Sequence, residues 1–247
     1  MTERDISLPV PVLEHPYWRV NIRPNEYQEQ LIPNLSKCLE IVEKTKLSLR
    51  GWDYPHLSNR STERSFGKNW VASWSNFMGH CEYWRFYQSA QFLHLFSVRE
   101  VTMSGWRKKL EQDMRSHLDY MKNISWEDVP GFLSINNFIY SATEIFEFAA
   151  RLSQSQIYMG LVTITIEIKG VKDFVLTADW DRAWHNYYSA GENNLGHSWN
   201  IKSDELVSNS SEHALTAIVW FFERFGWLSP SVEVLRQDQE NFLKGKV

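Results

Sequence analysis

Apolar residues along this chain recur with a period of two in some stretches and with helical spacing in others. Between residues 18 and 22, Trp18, Val20 and Ile22 alternate with Arg19 and Asn21, the pattern of a strand with one buried face. Pro24 closes it. From Pro33 to Lys46, Leu35, Cys38, Leu39 and Val42 recur at helical spacing behind a proline in a first-turn position. Ser48 to Arg50 reads strand-like into Gly51 and is interrupted by Pro55, with a polar loop through Lys68. Strands are expected at 70–77, 82–88 and 91–98, the last two meeting at Ser89 and Ala90; one long bent strand is the alternative there, because the turn signal is weak.

Ser104 can cap a helix with the stripe Trp106, Leu110, Met114, His117 or Leu118, and Met121. Residues 136–152 carry a wider stripe, Phe138, Ile139, Ala142, Ile145, Phe146, Ala149 and Leu152, with Glu147 and Arg151 spaced as an i, i+4 ion pair and Glu144 read as part of a solvated face. Val162, Ile164, Ile166 and Ile168 form the cleanest alternation, turned by Lys169 and Gly170 towards 174–176. Ala214, Leu215, Ile218, Phe222 and Phe225 mark a core helix stopped by Gly226, and Ser229 and Pro230 open another that reaches Leu243. About six or seven strands and about five helices in irregular order predict the α+β class, with a mixed, mostly antiparallel sheet. Pro9, Pro11 and Pro16 make residues 1–14 an extended lead-in or linker, and 15–247 a single domain.

Composition narrows the function classes. The chain holds 12 Trp, 10 Tyr and 14 Phe in 247 residues, more rings than a core hides easily, so some are expected at surfaces or clefts. A formal net charge of -4 provides no chain-wide basic field for nucleic acid. The local cluster Arg107, Lys108, Lys109 and Arg115 is broken by Glu111 and Asp113 and reads as a solvated helix face. Cys38 and Cys81 form no CxxC pair, which argues against a zinc site or a disulfide framework and for reduced, buried thiols. Neither a leader-like N-terminus nor an apolar run of membrane-spanning length is present. The expectation is a soluble, cytoplasmic protein.

Three constellations could carry chemistry. The corner Arg50, Trp52, Asp53 and His56 puts a cation, a ring, a carboxylate and an imidazole beside Gly51, where a planar or anionic ligand could be gripped; equally, Arg50 could pair with Asp53 in a structural turn. In a strand over 82–88, Tyr83, Arg85 and Tyr87 share one face, able to stack a base and neutralise a phosphate or simply to pack together, with Trp84 and Phe86 facing the core. Asp179, Asp181 and His185 could hold a divalent metal if they converge, and could equally serve as helix caps. No GxGxxG, P-loop, HExxH, EF-hand loop or GxSxG occurs, so catalysis has no local signature and no cofactor is expected.

The segments Arg50-Gly51-Trp52-Asp53-Tyr54-Pro55-His56, Glu82-Tyr83-Trp84-Arg85-Phe86-Tyr87-Gln88-Ser89 and Trp220 to Leu228 resemble a group of uncharacterised bacterial proteins over most of the chain. Some members of that group carry such a region beside a Schlafen-type, AlbA-like nucleic-acid-binding domain, which this chain lacks. The resemblance implies an accessory, sensing or binding role in regulation or defence and assigns no catalytic residue. The expectation is therefore a non-catalytic binding module that presents Arg50, Trp52, Asp53, His56, Tyr83, Arg85 and Tyr87 to a nucleotide-like or nucleic-acid ligand or a protein partner, with oligomerisation through exposed rings also open. A metal-assisted hydrolase or nuclease is the alternative.

Overall fold

The computed structural model describes residues 10–57, 63–102, 108, 128–178 and 186–246. In chain order these form α1 (Val10–Leu13), β1 (Tyr17–Pro24), α2 (Leu35–Thr45), β2 (Leu47–Ser48), β3 (Asp53–Tyr54), β4 (Arg64–Phe66), β5 (Trp70–Phe77), β6 (His80–Tyr87), β7 (Phe92–Ser97) and α3 (Arg99–Thr102). There follow β8 (Phe132–Ser134), α4 (Ile135–Gln154), β9 (Leu161–Lys169), β10 (Val175–Thr177), β11 (Asn194–Lys202), α5 (Ser203–Arg224) and α6 (Val232–Leu243). The fold is α+β, as the irregular order of elements predicts.

Seven strands make one sheet in the order β11-β9-β1-β7-β6-β5-β4, and each neighbouring pair is antiparallel. The N-terminal strand β1 lies between β9 and β7, so it joins the meander β4 to β7 to the later pair β9 and β11. Its alternation is the one read from sequence: Trp18, Val20 and Ile22 are buried and the residues between them are half-buried. Two tight turns shape the meander. Between β5 and β6, Met78 and Gly79 both take positive φ, the backbone that a two-residue hairpin requires. A side chain at Gly79 would meet the Thr102 carbonyl oxygen at 2.5 Å, so that position has no room for one. Between β6 and β7, Ala90 takes φ 62° and donates its N–H to the Tyr87 carbonyl, so 82–98 is two strands and not one bent strand.

One face of the sheet packs against α2, α4 and α5, and the main core lies between, with Val20, Ile22, Phe86, Phe92, Phe138, Phe146, Ile164, Ile166, Ile218 and Phe222 all essentially inaccessible. Phe138 of α4 ties the layers together, its ring 4.7 Å from Trp18 and 5.1 Å from Phe222. On the opposite face, α1 lays Val12 into a smaller cluster with Ala72, Cys81, Tyr83 and Leu95. Within the expected lead-in, Val10–Leu13 form a single helical turn rather than an extended segment, stabilised by the burial of Val12; residues 1–9 lie outside the described residues. The alternation of β9 is complete, with Val162, Ile164, Ile166 and Ile168 all buried.

Several sequence expectations are corrected. Strand β4 lies in what reads as a polar loop, and β11 carries too few aliphatics to register as a strand; pairing with β9 along nine residues makes it one. The pair Glu147 and Arg151 does not form: Glu147 accepts hydroxyls from Ser210 and Ser211 of α5, and Arg151 donates to the Lys46 carbonyl. The helix expected from Ser104 lies outside the described residues, as do Arg107, Lys109 and Arg115; Lys108 is exposed. Among the described residues, no helix is long and apolar enough to cross a membrane.

Candidate functional site

A hollow opens between one end of the sheet and α4, walled by the 50–54 corner, the starts of β6 and α3, and the first half of α4. Its cavity volume is about 20 Å³, room for about one water and far below the ~300–1,000 Å³ of small-molecule sites. Tyr54, His80, Glu82, His94, Arg99 and Glu144 are its polar lining. The interior therefore admits little more than a water, and anything larger would lie at the mouth.

The corner is fixed by its flanks. Asp53 takes an ion pair from Lys46 at 2.7 Å, not from Arg50. Arg50 instead reaches α4, with Nη2 2.5 Å and Nε 3.2 Å from the two Glu144 oxygens and Nη2 3.3 Å from the Ser141 hydroxyl. Glu144 is 1% exposed, so the solvated-face reading is overturned: its position on α4 faces the sheet, and the guanidinium is what makes a carboxylate tolerable there. Burial pushes the Glu144 carboxyl above the ordinary range, against the pull of Arg50. Arg50 Nη1 is buried and has no hydrogen-bond partner among the described residues.

The sheet contributes polar groups on its helix-covered face. Because β6 and β7 alternate, His80, Glu82 and His94 point to the same side as Trp84, Phe86, Phe92 and Phe96. Glu82 accepts from His94 Nε2 at 2.9 Å, the His56 backbone N–H at 2.8 Å and Trp52 Nε1 at 3.2 Å. Burial alone would raise the Glu82 carboxyl; the His94 hydrogen bond, the neighbouring histidines and the His56 N–H outweigh it and hold the group well below the ordinary carboxylate range. His80, hydrogen-bonded to Ser97 at 3.3 Å, is brought down to about 3 by burial and then by Arg99, so it is neutral at physiological pH. His94 Nδ1 and the Tyr54 hydroxyl are buried without partners.

Helix α3 adds the last wall. The Glu100 carboxylate is occupied at the start of α4, accepting from the Ser134 N–H at 2.9 Å and from Asn137 at 3.2 Å. Arg99 lines the hollow and makes no hydrogen bond or ion pair with any described residue. Burial and the nearby Arg50 charge lower it to about 10, so it remains cationic at neutral pH. At the mouth, Trp52 stacks on His56 at 3.9 Å and leans on Phe77 at 5.0 Å, a ring ledge beside the opening.

Of the seven residues singled out in the sequence, Arg50, Trp52 and Asp53 line this hollow, and His56 supports it from behind Trp52. Tyr83, Arg85 and Tyr87 do not join them, since they lie on the other face of the sheet. There Arg85 is 3% exposed, with its guanidinium 4.0 Å above the Trp70 ring and hydrogen-bonded to the hydroxyls of Tyr83 at 2.7 Å and Tyr87 at 3.4 Å. Asp179, Asp181 and His185 lie outside the described residues, and among the described residues no group of three His, Cys, Asp or Glu is placed to hold a metal ion.

Sequence reading missed Arg99, Glu100, His80 and His94 as parts of one site. For His94 a signal existed: it shares the buried parity of Phe92 and Phe96, and a polar residue on such a face calls for a partner. Comparison with models of known families, with curated proteins and with solved structures finds no match to this chain.

Proposed function

We propose that this chain is a non-catalytic binding module, of the sensor or accessory kind, that takes a nucleotide-like ligand at the mouth of the hollow. The ligand's anionic group sits against Arg50 and Arg99, and its ring lies at the mouth on Trp52. One observation carries the reading: two guanidiniums line the same hollow while half-buried Arg99, and the buried Nη1 of Arg50, donate to no described residue. Withdrawing a guanidinium from water without acceptors is costly, and an anion with two or three oxygens is the ligand chemistry that offsets the cost. Glu82 and Glu100 are occupied by hydrogen bonds and Glu144 by the other side of Arg50, while the charge of all three carboxylates also acts on Arg99. A setting in bacterial regulation or defence, and a cytoplasmic location, follow only from the resemblance and the composition. Tyr83, Arg85 and Tyr87 take no part in the reading.

A thermal-shift panel tests it. It comprises nucleoside mono-, di- and triphosphates, cyclic nucleotides, the matching nucleosides without phosphate, and short oligonucleotides. A phosphorylated member at about 100 times its dissociation constant adds ~2.7 kcal/mol, equivalent to roughly 5–10 °C for a domain of this size. The nucleosides should do far less. In Arg99→Ala the response disappears while the ligand-free protein is as stable as the wild type or more so, because no partner is lost. A flat response across the whole panel contradicts the proposal.

A further inference from the structure

Strand β11 ends the sheet with nine residues whose outer edge is paired with no described strand. Its side chains are mostly exposed, and no backbone hydrogen bond runs from that edge to a described residue. Natural edge strands are usually protected by shortness, proline, bulges or charge. The opposite edge, β4, follows this rule with three residues. β11 has no proline, runs in unbroken register with β9 from Asn194 to Lys202, and carries one formal charge, Lys202, at its very end.

We propose that this edge pairs with the same edge of a second copy of the chain, in an antiparallel two-fold arrangement that extends the sheet across both protomers. The side chains of β11 are self-complementary about Ser198. In the two-fold register Ser198 meets its own counterpart, His197 meets Trp199, Gly196 meets Asn200, Leu195 meets Ile201 and Asn194 meets Lys202. Apolar and aromatic residues face one another on the helix-covered side, and small or amide residues do so on the other. The two Lys202 charges fall at opposite ends, so no like charges oppose. On the helix-covered side His197 stacks on Trp220 at 4.7 Å and meets Trp199 edge-on at 4.8 Å within each chain, and the pairing continues that row of rings across the axis. A heterologous strand could use the edge too, but nothing in such a strand would have to match this palindrome-like order.

Sedimentation velocity of the full chain over a range of concentrations tests the proposal. The expected result is a dimer that dissociates on dilution. Ser198→Lys places two ammonium groups against each other on the axis and should shift the protein to monomer, with circular dichroism and melting temperature like the wild type because the site is exposed. Ser198→Cys, oxidised under native conditions, should yield a disulfide-linked dimer, whereas Cys38 and Cys81 are buried and leave the wild type unlinked. A monomer at every concentration overturns the proposal. So does a dimer that Ser198→Lys leaves intact and Ser198→Cys does not cross-link, since it would use another surface.

Discussion

Replacing Glu144 with alanine should destabilise the protein by about 3–5 kcal/mol, the usual cost of stranding one partner of a buried ion pair. The reason lies in an asymmetry between the partners. Glu144 is nearly inaccessible and Arg50 only slightly less so, but their protonation chemistry differs. Without Arg50, Glu144 can take up a proton, and burial already raises its carboxyl in that direction. Without Glu144, the Arg50 guanidinium stays charged, since arginine does not lose its proton in proteins, and it keeps only the long contact to Ser141. Urea unfolding at neutral pH should therefore show Glu144→Ala losing clearly more stability than Arg50→Ala. Below the ordinary carboxylate range the two should converge, because Glu144 is protonated in both the folded and the unfolded wild-type chain. Equal losses at neutral pH would mean that the pair is better solvated than its burial indicates.

Acid should weaken the fold from an unusually high pH. His80 has an ordinary value of 6.5 and a folded value of about 3, so between those limits the unfolded chain binds a proton that the folded chain refuses. Stability then rises with pH, by about 1.4 kcal/mol per pH unit for one such proton, and is lost as pH falls from 6.5 towards 3. Glu82 adds to the loss lower down. Its carboxyl is depressed in the folded state, so its contribution is present above the unfolded value and disappears as pH falls below it. Glu100 and Glu144 act in the opposite sense, since burial raises both and their contributions fade as pH rises through their folded values. In His80→Gln the stability-against-pH curve should flatten between pH 6.5 and the carboxylate range while the Glu82 limb remains. A variant curve parallel to the wild type through that window would remove His80 from the account.

The parts of the fold legible in the sequence are those in which one face is dry. Trp18, Val20 and Ile22 in β1, the four aliphatics of β9 and the stripe of α4 announce themselves because burial selects apolar residues at a fixed period. β11 is illegible for the converse reason. At a sheet edge its Asn, Gly, Ser and His residues remain in water, so neighbouring strands and not side-chain pattern decide its conformation. The site divides in the same way. Arg50, Trp52 and Asp53 could be named because a glycine and a proline mark their corner, whereas Arg99 and Glu144 come from elements whose mutual placement depends on the whole sheet. The pairing of Arg50 could not be foreseen either. Asp53 is three residues away and Glu144 is 94, yet the distant carboxylate wins, because Lys46 occupies Asp53 and α4 brings Glu144 into the same dry wall. Tyr83, Arg85 and Tyr87 were correctly placed on one face of a strand, but alternation alone does not tell which face adjoins a cavity.

The central claim is that Arg99, together with Nη1 of Arg50, offers unpaired cationic donors to the hollow, and inorganic phosphate measures it most directly. The melting temperature of the wild type and of Arg99→Ala should be compared in millimolar phosphate and in sodium chloride of equal ionic strength. General salt effects act on both proteins alike, so only a site that uses Arg99 can separate them. The account predicts that phosphate raises the wild-type melting temperature by several degrees and leaves Arg99→Ala near its value in chloride. The same rise in both proteins, or none in either, would contradict it.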